Sequence, residues 1–452
     1  MCPFRYLYHI LLFLLSNALL ASCVSWSAYF DPSTVTVKTG AQQRIRLILS
    51  GLDDDVIANI DNRDFIQIKS ERESLATVSD PKEIQFFSVN RANRSYDANF
   101  DVRGVFLGST KVFVEIKNKA NVTERSNEKL DVIVLRPRRV IDQIFIYSVV
   151  ILVSILYINF GAAISMSTIR DILRRPVGPA ICFVCQFLFM PLASYGLGYW
   201  LFQDSHEMAL GLFFTGISPG GGASNMWTLI LGGNINLSIA MTTISTLAAF
   251  FMMPLWIFTL GRTIFERAEL GVPYAKISSM AAGLLIPLAV GLLIQRFMPR
   301  TAKFLVRVLK PVSLILILFI VVFAIITNFY IFQLFSWQIV VAGLGLPWLG
   351  YSVGWLAAKA SKQPNPDAIA IAVETGIQNT GIAIFLLTFS LDQPMADLTT
   401  VVPVSVAIMT PFPLLGIYIV QKLIQFKNRK NSALMKRDTA ILESDQSSSS
   451  VY

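Results

Sequence analysis

The apolar and polar positions divide the chain into three unlike stretches. Residues 1–23 form one short apolar run behind a basic start. Arg5 precedes an apolar centre from Ile10 to Leu20, and Ala21-Ser22-Cys23 supplies small residues for cleavage. That layout predicts a secretory signal peptide, with an uncleaved anchor as the alternative. Residues 24–136 alternate instead. Val35-Thr36-Val37, Arg44-Ile45-Arg46-Leu47-Ile48-Leu49, Phe65-Ile66-Gln67-Ile68, Ile84-Gln85-Phe86-Phe87-Ser88-Val89 and Lys111-Val112-Phe113-Val114-Glu115-Ile116 each read as a half-buried strand. Ser50-Gly51 and Leu107-Gly108-Ser109 mark turns between them. Several short strands in about 110 residues predict an all-β sandwich, immunoglobulin-like being one such form.

From Asp142 onward the pattern changes to long apolar runs. Nine hydrophobic segments fall near 142–164, 176–201, 207–231, 236–261, 273–295, 311–333, 337–358, 366–391 and 395–421. No Asp, Glu, Lys or Arg occurs from Met208 to Leu260 or from Pro311 to Ala358. A single span needs only about 20 apolar residues, so each of these runs must contain a turn. The predicted fold class is therefore a multi-span α-helical membrane protein. It has a nine-span transporter-like region over residues 142–425 and an N-terminal all-β ectodomain over residues 24–136. The polar tail, residues 426–452, ends in the serine run Ser447 to Ser450 and has the composition of a disordered segment.

Composition narrows the function classes. The chain of 452 residues is 54% hydrophobic, with a mean hydropathy of +0.57, which excludes an ordinary soluble enzyme. The net charge of +9 does not imply a nucleic-acid partner, because membrane topology accounts for where the basic residues lie. If the ectodomain is outside, nine spans leave the C-terminus inside. Sixteen Lys or Arg residues then fall in the inner loops and tail, among them Arg170, Arg174, Arg175, Arg296, Arg300 and Lys427. Only Arg262, Arg267 and Lys276 fall between spans on the outer side, as the positive-inside tendency requires. Arg136, Arg138 and Arg139 sit just outside the first span; a leader commits that domain to the outside before the span emerges. The sequons at Asn93 and Asn121 are candidate glycosylation sites and agree with a lumenal or extracellular ectodomain. The two histidines are His9 and His206, which argues against His-based catalysis or metal binding. Cys182 and Cys185, a C-x-x-C without His partners, read as core thiols.

The candidate chemistry centres on Glu374. No other formal charge occurs from Ala368 to Leu391, and a charge at membrane depth costs about 2.5–3.5 kcal/mol on insertion scales. Its neighbours read Glu374-Thr375-Gly376-Ile377-Gln378-Asn379, and the third segment contains Ser218-Pro219-Gly220-Gly221-Gly222-Ala223-Ser224-Asn225. Proline and three consecutive glycines predict a broken helix, tolerable in lipid only where protein or a wet cavity satisfies the freed backbone. Split after the fourth span, each half carries its break in the next-to-last segment, the first half lacking one span at its start. Paired interruptions of this kind point to a transporter site built from inverted repeats. Unrelated glycine-rich packing seams are the blander explanation, and Glu374 with its amides weighs against it.

These residues resemble the sodium/bile acid cotransporter family, solute carrier family 10. The likeness is carried by Pro219 to Asn225, by Leu237-Ser238-Ile239-Ala240-Met241-Thr242-Thr243, by Glu374 to Asn379, by Arg175-Pro176 and by Cys185-Gln186-Phe187. It covers residues 142–425, and the ectodomain resembles that of the orphan members with long N-terminal domains. The resemblance implies two sodium ions as coupling ions. The first would be held by Ser224, Asn225, Ser238, Thr242 and Glu374. The second would be held by Gln186, Glu374 and Gln378, with backbone oxygens near Thr375 and Ile377. It also implies that Asn225 and Asn379 face the substrate, an amphipathic organic anion. The carriers usually have Thr where this chain has Gly222, which bears on substrate identity more than on sodium. Singly, Ser238 or Thr242 is explained as well by a bond to its own i−4 carbonyl, and Gln186 by helix-to-helix gluing.

The leading expectation is a sodium-coupled secondary transporter. The other class is a receptor or adhesion scaffold with a transporter fold and a protein partner for its ectodomain. A seven-helix receptor does not fit nine segments with paired breaks. An intramembrane enzyme lacks a His or a nucleophile–base pair in the spans.

Overall fold

The computed structural model describes residues 26–52, 66–78, 85–90, 94–117, 123–137, 140–163, 176–268, 270–305 and 336–427, with isolated helical positions between 307 and 322. The leader, Asn93, Asn121, most of the segment near 311–333 and the tail beyond 427 lie outside the described residues. The chain divides into two compact units, Met1–Arg138 and Arg139–Tyr452.

Among the described residues, the first unit has ten strands in two sheets. β1 (Ser27–Asp31), β3 (Gln42–Ser50), β7 (Ser95–Gly104) and β5 (Ala76–Val78) lie in that order, with β6 (Gln85–Asn90) also on β7. The second sheet runs β2 (Thr34–Lys38), β10 (Leu130–Leu135), β8 (Gly108–Lys117) and β4 (Ile66–Ser70), with β9 (Thr123–Arg125) on β8. All pairs are antiparallel except β10 with β2. The alternation in sequence becomes alternation in burial, as a strand period of two requires. Phe30, Ile45, Leu47, Tyr96, Phe100, Val112, Val114 and Val132 from both sheets share one core. The predicted strands correspond to β2, β3, β4, β6 and β8. The pattern reading passed over β7, whose buried Tyr96, Ala98, Phe100 and Val102 are separated by Asp97, Asn99 and Asp101 and so look polar in a window average.

On the outer face of the second sheet a carboxylate is buried beside two cations. Glu115 on β8 is 6% exposed. It accepts from Lys69 Nζ at 2.6 Å and Arg125 Nε at 2.8 Å. Register places Arg125 directly opposite Glu115, and its guanidinium also covers the Phe113 ring at 4.9 Å. The hydrogen bond from Lys69 lowers the Glu115 pKa from its ordinary value, desolvation opposes that shift, and Arg125 adds to it.

The second unit is helical. Its described helices include α1 (Val140–Ala163), α2 (Val177–Val184), α3 (Met190–Leu201), α4 (His206–Gly216), α5 (Ala223–Ile230), α6 (Ile235–Trp256), α7 (Arg262–Arg267), α8 (Tyr274–Phe297), α9 (Trp337–Ala360), α10 (Asn365–Gly376), α11 (Thr380–Ser390), α12 (Met395–Thr399) and α13 (Val401–Met409). Among the described residues, five helical stretches are long and apolar enough to cross a membrane: Val177–Leu201, Ile235–Arg267, Tyr274–Phe297, Trp337–Ala360 and Met395–Lys427. The segments expected near 207–231 and 366–391 are each two shorter helices. α4 gives way to α5 across residues 217–222, and α10 to α11 across 377–379. Both predicted breaks are therefore real interruptions. The second and fourth apolar segments each contain a π-helical turn, Cys185–Phe189 and Ile257–Gly261, which the apolar pattern did not reveal.

Candidate functional site

The two breaks meet. Gly221 N–H donates to Ile377 O at 2.7 Å and Asn379 N–H to Pro219 O at 2.9 Å. Gly220 and Gln378 form an isolated antiparallel bridge between them. The backbone groups released by one broken helix are thus satisfied by the other, the condition for irregular backbone at membrane depth. Close approach explains the glycines. A Cβ on Gly221 would lie 2.8 Å from Gln378 O, and one on Gly220 would lie 2.2 Å from Glu374 Oε1.

A second tie joins these segments at the start of α6. Asn234 caps α6 by accepting from Leu237 N–H at 3.2 Å. Its amide donates to Asp367 Oδ1 at 2.8 Å, and its backbone N–H to Pro366 O at 2.9 Å. α6 is therefore anchored to the first turn of α10, the helix that carries Glu374. Ser238 and Thr242, spaced i and i+4, then lie on one face of α6.

Glu374 is completely buried. Its Oε2 accepts from Ser224 Oγ at 2.6 Å and from Ser238 Oγ at 3.4 Å. Ser238 in turn accepts from Thr228 Oγ1 at 3.3 Å, and Thr242 Oγ1 is 3.4 Å from Ser224 Oγ. Among the described residues, Oε1 has no hydrogen-bond partner. Among the described residues no Lys, Arg or His forms an ion pair with Glu374. The carboxylate also lies in the last turn of α10, where the partial negative charge of a helix C-terminus adds to its own. Charge, burial and dipole all favour a cation there. The surrounding hydroxyls, an amide and backbone carbonyls are hard oxygen donors suited to an alkali or alkaline-earth ion rather than a soft metal.

The predicted residues fall into two groups. Ser224, Ser238, Thr242 and Glu374 come together as described. Asn225 is on the same turn of α5, with its Oδ1 buried and unpartnered. Gln186, Gln378, Thr375 and Ile377 gather at the crossing. Gln186 lies in the first π-helical turn and is fully buried; single π turns are common at functional sites. Its amide donates to Gln378 Oε1 and to Ser218 O, both at 2.6 Å. Gln378 Nε2 donates to Thr375 O at 2.7 Å, and Ile377 O receives Gly221 N–H. The structure thus links Gln186 and Gln378 to each other, with no direct hydrogen bond from either to Glu374. Asn379 Oδ1 caps α11 by accepting from Ile382 N–H at 3.2 Å. Thr242 Oγ1 also bonds Ser238 O at 3.0 Å, so the ordinary i−4 role coexists with a place at the site. Cys182 and Cys185 are buried free thiols.

The sequence reading missed Thr228, Ser218 and Ser245. Ser245 accepts from Gly220 N–H at 3.3 Å and donates to Thr242 O at 3.1 Å. The signal was present: Ser238, Thr242 and Ser245 are i, i+4 and i+7 on one helix face. Beyond this face α6 turns Thr246, Ala249, Phe250 and Met253 to an apolar pocket whose lining includes Tyr157 of α1, Leu284 of α8 and Ile382 of α11.

The model of the sodium bile acid symporter family matches residues 150–334. The chain is 31% identical over 272 residues to the P3 protein of Homo sapiens, a match covering 60% of this chain and 57% of that protein. It therefore spans little more than half the length of that relative. Identity to the ileal sodium/bile acid cotransporter of Cricetulus griseus is 30% over 285 residues, covering 62% of this chain and 80% of that one. Identity to sodium/bile acid cotransporter 5 of Rattus norvegicus is 28% over 360 residues, covering 77% and 82%. That last match is longer than the helical unit and so reaches into the β unit.

Proposed function

The chain belongs to the sodium bile acid symporter family, and from that premise we propose that it is a sodium-coupled symporter of an organic anion resembling a bile acid or steroid conjugate. The observation that carries the reading is the environment of Glu374: a fully buried carboxylate, hydroxyl donors on Oε2 and no partner on Oε1. Two sodium ions are proposed as co-substrates. One would be held by Ser224, Asn225, Ser238, Thr242 and Glu374, the other by Gln186, Glu374, Gln378 and the carbonyls of Thr375 and Ile377. Sodium offsets the buried charge and stabilises one arrangement of the crossed breaks. A substrate that binds that arrangement preferentially is then coupled to sodium by population shift. Asn225 and Asn379, one on each broken segment, are the proposed substrate contacts. Nine spans, an outer N-terminal domain, a cytoplasmic C-terminus, a cleaved leader and glycans at Asn93 and Asn121 complete the proposal. Alternating access follows from one helix group moving against the other around the site.

The test is uptake of labelled bile acids and steroid sulfates into cells under a sodium or a potassium gradient. Uptake is expected only with sodium, and Glu374→Gln is expected to abolish it at unchanged surface abundance. Undiminished uptake by that variant overturns the coupling. The scaffold reading draws support from the separate core of the β unit. It prevails if the intact protein shows neither sodium-dependent uptake nor sodium-dependent stabilisation.

A further inference from the structure

The geometry points to Ser245 as a further oxygen ligand of the cation site, on the Oε1 side of Glu374. This rests on the sodium reading above, but Ser245 belongs to neither proposed set of ligands. A Cβ built on Gly220 would lie 2.2 Å from Glu374 Oε1 and 3.3 Å from Ser245 Oγ. The two oxygens therefore flank the same side of one Cα atom. Oε1 is the carboxylate oxygen without a partner, whereas Oε2 already takes Ser224 and Ser238.

Ser245 is 3% exposed, and its hydrogen bonds leave capacity in the needed sense. A hydroxyl has one donor and two acceptor lone pairs. Ser245 commits the donor to Thr242 O and one lone pair to Gly220 N–H. The remaining lone pair is a neutral oxygen ligand for an ion seated at Oε1. The bond to Gly220 also holds the glycine backbone beside that oxygen, so the same hydroxyl fixes the wall of the site. With no side chain at Gly220, Oε1 and Ser245 Oγ approach this Cα atom without a Cβ between them.

The test uses the purified full-length protein in detergent, with sodium chloride as the probe and potassium chloride holding ionic strength constant. Thermal stability is followed as sodium rises, because an ion that binds the folded state alone raises stability by mass action. Ser245→Ala and the near-isosteric Ser245→Cys are expected to raise the half-saturating sodium concentration about fivefold or more, while Ser245→Thr stays within about twofold of the unsubstituted chain. Melting temperatures in potassium alone report folding separately. Should Ser245→Ala fold poorly, the Cys and Thr variants carry the comparison. If both Ser245→Ala and Ser245→Cys keep the original half-saturation, the assignment of Ser245 is overturned while the Glu374 reading stands. If the unsubstituted chain gains no stability from sodium, and Glu374→Gln behaves like it, the underlying site reading fails instead.

Discussion

Glu115 and Glu374 are both buried carboxylates, 6% and 0% exposed, yet they are accommodated in opposite ways. Glu115 stands on a sheet whose neighbouring strands bring Lys69 and Arg125 to its two oxygens. Its charge is balanced by the chain, and the exposed side chains of Lys69 and Arg125 provide the cations. Glu374 has hydroxyls on one oxygen and nothing on the other. Breaking a buried pair leaves an uncompensated charge; Glu374 has that character in the intact fold. An acid supplied with its own counter-ions serves the fold. An acid supplied only with oriented oxygens is, in the proposed function, the one that takes an ion from outside.

This contrast is open to direct challenge. The largest difference is expected from neutralising the two acids in turn. Glu374→Gln should abolish sodium-dependent thermal stabilisation and leave the melting temperature in potassium unchanged or higher, because a buried charge worth about 2.5–3.5 kcal/mol on insertion scales is removed. A marked loss of stability in potassium would mean that Glu374 is a structural acid after all. Gly220→Ala comes next. Its Cβ would stand 2.2 Å from Oε1, and relieving the overlap should cost about 1–3 kcal/mol and weaken sodium binding together. Normal sodium titration of that variant would show that Oε1 does not face the ion.

Glu115→Gln should do the reverse of Glu374→Gln. Loss of two charge-assisted hydrogen bonds is expected to destabilise the β unit by about 1–2 kcal/mol, with sodium titration unchanged. Hydrogen exchange of the β8 amides in the intact protein measures the first effect. The smallest effect is the pH dependence of that contribution. Because the folded Glu115 pKa is below its ordinary value of 4.5, the ion pairs stabilise fully above that value. Their contribution declines as pH falls through the lowered folded value. Glu115→Gln should remove this part of the acid sensitivity; an identical acid profile in the variant would show that the two cations do not depend on the carboxylate charge.

The chain order of apolar runs was enough to place the apolar helices among the described residues, most of the run near 311–333 lying outside them, because such helices depend on length and composition. It was also enough to identify both breaks, because Pro219 and three glycines cannot sustain a helix, and to single out Glu374 by its isolation. In the β unit β2, β3, β4, β6 and β8 were legible from their alternation, whereas β7, with acids and an amide at its outward positions, escaped, as did β1, β5, β9 and β10. The tertiary structure decided the rest. Gly221 and Ile377 share a hydrogen bond across the two halves of the chain, and no local pattern encodes a partner so far away. Gln186 enters the crossing from a π turn that has no apolar signature. Ser245 drew no notice in the sequence, and the fold brings Gly220 against it. Local periodicity reports which face of a segment is buried. Only packing determines what lies against that face, and with it which of the two Glu374 oxygens remained unpaired.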